Sequence, residues 1–93
     1  MKVVWHPLAM ADRECIMDFI ARDNPLAALA LDENFEAKAD RIEANPHIYR
    51  PGRMPGTREA VVHPNYVMMY RVEDETITIL RVLHATQRWP SAE

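Results

Sequence analysis

A single cysteine, Cys15, stands in the chain, which excludes an internal disulfide and a thiolate cluster for zinc. Glycine occurs only at Gly52 and Gly56, so there is no Gly-rich phosphate loop, and no nucleophile elbow is present. No apolar run approaches the roughly 18 residues that a membrane span needs. The opening Met1-Lys2-Val3-Val4-Trp5 lacks signal-peptide architecture, because His6-Pro7 interrupts it before an apolar region develops. A cytoplasmic location without membrane contact is therefore expected. The histidines (6, 47, 63 and 84) sit in separate segments and never pair at helical spacing, so neither a metal nor a cofactor is expected.

The 93 residues make one domain, spanning 1–93, with 84–93 read as a C-terminal tail. A hydrophobic content of 48% is enough for one core. The net charge of −3 hides an asymmetry. Residues 7–44 carry nine acidic side chains against Arg13, Arg22, Lys38 and Arg41. From Arg50 to Arg88 every basic residue is an arginine (50, 53, 58, 71, 81, 88), and three of the four acids there, Glu73, Asp74 and Glu75, fall in one turn. The first half offers an acidic surface and the second an arginine surface, so net charge alone does not dismiss a polyanionic partner.

Lys2 to Trp5 reads as a short strand. Pro7 suits a helix start, and Leu8, Cys15, Ile16, Phe19 and Ile20 recur at helical spacing on a face expected to pack into the core, Cys15 included. Asn24-Pro25 caps and opens a second helix, with Leu31, Phe35, Ala39 and Ile42 on its apolar stripe and Asn45-Pro46 stopping it. So short a turn predicts an antiparallel helical hairpin. A loop follows from Pro46 to Gly56, of a length often functional. Strands are predicted over 57–62, 66–72 and 76–83, the middle one nearly all apolar and hence covered on both faces. The methionines 10, 17, 54, 68 and 69 are assigned to the core. The fold class is α+β: a short strand, two helices and a three-stranded antiparallel sheet.

The chemistry-bearing residues are arginines with nearby histidines and aromatics: Arg53, Arg58, Arg81, His84, Arg88 and Trp89, with His63 as a further candidate. An antiparallel sheet is expected to bring the start of the 57–62 strand and the end of the 76–83 strand to one side. Guanidinium groups there would take phosphate or carboxylate bidentately. Cleaving RNA needs deprotonation of a 2′-hydroxyl, stabilisation of a charged phosphorane and protonation of the leaving oxygen; arginine suits the second task, histidine the first or third. The alternative is that the arginines dress a solvent-facing sheet, or meet an acidic protein segment, while the histidines end strands.

The order of elements and the strings VVWHPLAMADRECIMDFIARDNPLAA, NPHIYRPGRMPGTREAVVHPNYVMMYRV and ETITILRVLHATQRWP resemble the ParE/RelE superfamily of bacterial toxins over nearly the whole chain. The resemblance implies a cytoplasmic toxin paired with a small antitoxin. It also implies one of two targets, DNA gyrase for ParE-like members or the ribosome with its mRNA for RelE-like ones. A third possibility is a non-toxic partner of the repressor complex. For a RelE-like nuclease it implies Arg58, His84 and Arg88 as catalytic residues, whereas Arg53, Arg58, Arg81 and Trp89 are candidate macromolecule contacts. Ala60 and Val67 stand where RelE-like nucleases carry basic residues, and the acidic balance sits awkwardly with an RNA-rich target. Val82-Leu83-His84 matches the end of the last strand in ParE-like toxins.

Overall fold

His6 and Asn24 decide where the helices begin. In the computed structural model, which describes residues 1–86, His6 Nδ1 accepts the Leu8 N–H at 3.0 Å and Asn24 Oδ1 accepts the Ala27 N–H at 3.0 Å. Each satisfies a backbone donor that lacks an intrahelical partner, and a proline follows each cap. Helix α1 runs Pro7–Ala21 and α2 runs Pro25–Ala44, after strand β1, Lys2–Trp5. The remaining strands are β2 (Arg50–Pro51), β3 (Arg58–His63), β4 (Tyr66–Glu73) and β5 (Thr76–His84).

All five strands join one sheet in the order β1-β5-β4-β3-β2, which extends the predicted three-stranded arrangement at both edges. Strand β1 lies parallel to β5, with Lys2 opposite Thr76 and Trp5 opposite Ile79. The helical hairpin carries the chain from β1 to β2 at the opposite edge, and β3, β4 and β5 then return across the sheet to meet β1, a parallel pairing that a two-residue turn cannot make. Inside the proline-rich loop, Arg50 and Pro51 pair with Glu59 and Arg58. Strand β5 continues through His84, so the tail starts later than expected.

The helices cover one face of the sheet. Leu31, Phe35, Ala39 and Ile42 of α2 pack on Ala60, Met68, Tyr70, Ile77, Ile79 and Val82, and all are buried. On the central strand the four residues Val67–Tyr70 are consecutively buried, as expected of a strand covered on both faces. The Tyr70 hydroxyl donates to the Pro46 carbonyl at 2.6 Å, and burial pushes its pKa up to about 12.

Helix α1 departs from its hydrophobic pattern. Leu8, Met10, Cys15 and Phe19 are exposed, Phe19 by 68%. The buried side chains are Ala9 and Arg13, with Ile16 and Ile20 packed against the core. Arg13 is only 9% exposed. Its guanidinium lies 4.7 Å from the Trp5 ring centroid and bonds Asp32 at 2.6 Å and Glu36 at 2.7 Å. The aliphatic stem serves as core while two carboxylates on α2 hold the charge, so the helix turns a polar position inward and leaves three large apolar ones, Leu8, Met10 and Phe19, outside.

The β4–β5 hairpin closes on Asp74 and Glu75, with φ of 50° and 62°. Two left-handed residues in a two-residue loop match the twist of the flanking strands, but non-glycine side chains there cost roughly 1 kcal/mol each. Replacing Glu75 by glycine is accordingly expected to raise stability by about 1 kcal/mol in urea unfolding, with no change in the urea m-value.

Candidate functional site

Three strand ends meet in one row. His63 on β3 pairs with Tyr66 on β4, which pairs with His84 on β5. The Tyr66 ring lies 5.9 Å from His63 and 5.4 Å from His84, centroid to centroid, and meets Phe35 edge-on from below at 6.4 Å. The hairpin turn Pro64-Asn65 sets this geometry, since it closes directly between His63 and Tyr66. Both imidazoles are oriented by the chain just beyond them. His63 Nδ1 accepts the Asn65 N–H at 3.1 Å, and His84 Nδ1 accepts the Thr86 N–H at 3.3 Å. Where Nδ1 accepts, a neutral ring carries its proton on Nε2; at His84, whose Nδ1 also lies 2.9 Å from Thr86 Oγ1, the donor and acceptor roles follow the tautomer.

The row forms the floor of an open concavity of about 690 Å³. Its opposite wall is the helical hairpin, through Phe19, Ala27, Ala30 and Asn34. A second hollow of about 290 Å³ shares Phe19, Tyr66 and His84 and extends along α1 to Asp12 and Cys15. The small side chains of α2 let a partner's backbone come close, while the exposed Phe19 offers apolar area. Among the described residues no group of three or more histidines, cysteines and carboxylates is arranged to hold a metal ion.

The arginines named from the sequence are distributed elsewhere. Arg58 opens β3, level with Tyr70, which is itself level with Ile79. Arg58 Nη1 donates to the Tyr49 carbonyl at 2.8 Å and the His47 carbonyl at 3.2 Å, which ties the loop to the strand. His84 lies four residues further along β4, level with Tyr66, or roughly 13 Å away along the strand direction. Two hairpins restore the chain's direction, so β3 and β5 run the same way. The start of one and the end of the other lie at opposite ends of the sheet, contrary to the expectation that they share a side.

Arg53 is bound to Glu59, with Nε to Oε2 at 2.7 Å, and its backbone N–H reaches the same oxygen at 2.9 Å. Arg81 grips Asp12 on α1 through two bonds of 2.7 and 2.8 Å, and Asp12 also accepts the Val82 N–H. These bonds fix the 50–57 loop and α1 against the sheet. Hydrogen bonding to Arg53 holds the Glu59 carboxyl below its usual range. Arg88 and Trp89 lie outside the described residues. Sequence reasoning named His63 and His84 as site candidates and assigned their shared neighbour Tyr66 to the core; the two-residue spacer at Pro64-Asn65 is the signal that joins His63 to Tyr66.

No helix among the described residues is long and apolar enough to cross a membrane. The profile of the ParE toxin of type II toxin–antitoxin systems, parDE, matches residues 3–89. Toxin RelE2 of Caulobacter vibrioides is 36% identical over 88 residues, covering 92% of this chain and 97% of that protein. The solved chromosomal ParDE toxin–antitoxin system from P. aeruginosa superposes with a TM-score of 0.81 at 26% identity, over 90% of this chain and 95% of that one. The RelBE2 toxin–antitoxin complex from Mycobacterium tuberculosis follows with a TM-score of 0.57 at 27% identity, over 89% and 95%. A match that runs from β1 through β5, with the two-helix and five-strand fold that accompanies it, means that the chain belongs to the ParE toxin family of type II toxin–antitoxin systems.

Proposed function

We propose that this toxin inhibits growth by binding DNA gyrase, without catalysing a reaction of its own. The observation that carries the reading is the separation of Arg58 from His84 along the sheet. A nuclease needs its phosphate-binding cation and its proton donor at one scissile bond, whereas the Arg58 guanidinium is turned onto the Tyr49 and His47 carbonyls, at the other end of the strands from His84. Ala60 and Val67, both buried, supply no cation between them. The exposed apolar residues of the helical hairpin, Phe19, Leu26 and Leu29, are contact candidates suited to a protein target. A cognate antitoxin is the second partner, a reading supported by the toxin–antitoxin complexes among the structural neighbours. The concavity between hairpin and strand ends has the size for one of its segments.

A ribosome-dependent mRNA endonuclease is the second reading. The observation favouring it is the pair of imidazoles flanking Tyr66 on an open surface, along with the relative named Toxin RelE2. The two part on one variant. Substituting Arg58 and His84 together by alanine is expected to leave growth inhibition within about threefold of the parent on induction. The variant's folding is checked by its melting curve, because Arg58 also anchors the loop. Loss of inhibition in a folded variant would transfer the conclusion to the nuclease.

A further inference from the structure

We infer that the sheet face turned away from the helices carries a separate binding site, for a partner-protein segment in which an aliphatic side chain lies next to a carboxylate. Met69 and Arg71 alternate with the core residue Tyr70 on β4, so they project from the opposite face of the sheet to the His63–Tyr66–His84 row. A cavity of about 280 Å³ opens there. Met54, Met69 and Leu80 give it an apolar lining, and His6, Arg71 and Arg81 supply its charged and donor groups. The volume is that of one or two aliphatic side chains and not of an extended helix.

Three local features build the pocket. Strand β5 bulges between the pairs Met69–Arg81 and Tyr70–Ile79, which sets Leu80 out of the regular alternation. The loop bearing Met54 is folded on itself, with the Gly52 N–H donating to the Thr57 carbonyl at 2.7 Å and Thr57 Oγ1 donating to the Met54 carbonyl at 2.6 Å. A Cβ at Gly52 would run into the Thr57 side chain, so this closure needs glycine. The capping bond of His6 places its remaining ring proton on Nε2, a donor at the pocket's edge.

Charge decides what the pocket takes. Among the described residues no carboxylate lines it, in a chain of net charge −3. The two acids closest to its cations are Asp12, held by Arg81, and Glu73, whose oxygen stands 3.7 Å from Arg71 Nε. That second contact is beyond hydrogen-bonding distance, and both partners are about half exposed or more. The Arg71 guanidinium is therefore positioned to exchange Glu73 for an incoming carboxylate in bidentate geometry, while the methionines adapt to the aliphatic group.

The test uses the full chain with ¹³C-methyl methionine and titrates N-acetyl-Leu-Glu amide against its uncharged isostere N-acetyl-Leu-Gln amide. The Met54 and Met69 methyl resonances are expected to move and saturate with the first peptide, at least threefold more tightly than with the second. In Arg71→Gln, a surface change that leaves the core intact, the ratio of the two affinities should fall to about one. Still methyl resonances, or equal binding of the two peptides by the parent, would overturn the site. A preference for Leu-Glu that survives Arg71→Gln would overturn the charge recognition assigned to it.

Discussion

Replacing Arg13 by alanine is expected to cost about 3 kcal/mol of stability, through a buried cation that loses both its partners and its packing. A chain of this length holds roughly 5–14 kcal/mol in total, so the loss is a large share. It corresponds to a melting temperature lower by roughly 12–24 °C. The side chain sits between Trp5 and Phe35, 4.7 and 5.9 Å from their centroids, and its removal leaves a void against both rings. Burial opposes its charge, yet the hydrogen bonds it donates to Asp32 and Glu36 more than offset that and raise its pKa. Those two carboxylates are one turn apart on α2, and without Arg13 they repel. Arg13→Met separates the contributions, since it keeps the stem and deletes the charge. If packing dominates, methionine should recover more than half of the loss in denaturant unfolding; recovery of less than a quarter would assign the stability to the ion pairs.

Glu59 is the second position with a large expected effect. Its carboxylate is nearly fully buried and accepts from Arg53 N, Nε and Nη2 and from Arg50 Nη2, over 2.7 to 3.3 Å. Glutamine preserves the shape but turns an amide donor toward arginine donors. Because Arg53 is a quarter exposed and regains water, the cost is set at about 2–3 kcal/mol, below that of a fully buried pair. The pH dependence has a definite sign. A carboxyl whose folded pKa is depressed contributes stability above its ordinary value of 4.5, and that contribution is lost as pH falls through the folded value. The parent should lose stability below about pH 4.5, and Glu59→Gln should flatten that acid limb. An acid limb of unchanged slope in the variant would show that other carboxylates set it. The same substitution frees the 50–57 loop, so proteolysis should begin there.

How far the sequence reached depended on the range of the interaction. Asn24-Pro25 and Asn45-Pro46 fixed the ends of α2 because capping and proline sterics act within one turn. The stripe Leu31, Phe35, Ala39 and Ile42 was readable because one helix face meets one sheet face. The pairing of β1 with β5 was not, since residues 2 and 76 carry no mark of each other. Arg13 escaped notice for a related reason: hydrophobicity assigns arginine to the outside, and only the placement of Trp5, Asp32 and Glu36 makes a buried one affordable. With Arg13 facing inward, Ile16 and Ile20 keep their place against the core while Leu8, Cys15 and Phe19 face outward, so the inner face is rotated from the expected one.

The arginine site failed on geometry more than on chemistry. Arg53 and Arg81 do bind carboxylates, as guanidinium chemistry suggests, but those of Glu59 and Asp12 in the same chain. A partner 69 positions away leaves no local trace. Arg58 and His84 were separated by strand parity, which counting hairpins would have revealed. His63, Tyr66 and His84 came together through two hairpins with two-residue loops, the connections that local sequence controls best.

The claim that this toxin acts on gyrase and not on mRNA is tested most directly by inducing the chain in a bacterium without antitoxin. Labelled thymidine and labelled methionine incorporation are followed side by side from the first minutes. The account predicts that thymidine incorporation falls first, with methionine incorporation declining only later. A fall in methionine incorporation that precedes any change in thymidine would contradict it and identify translation as the target.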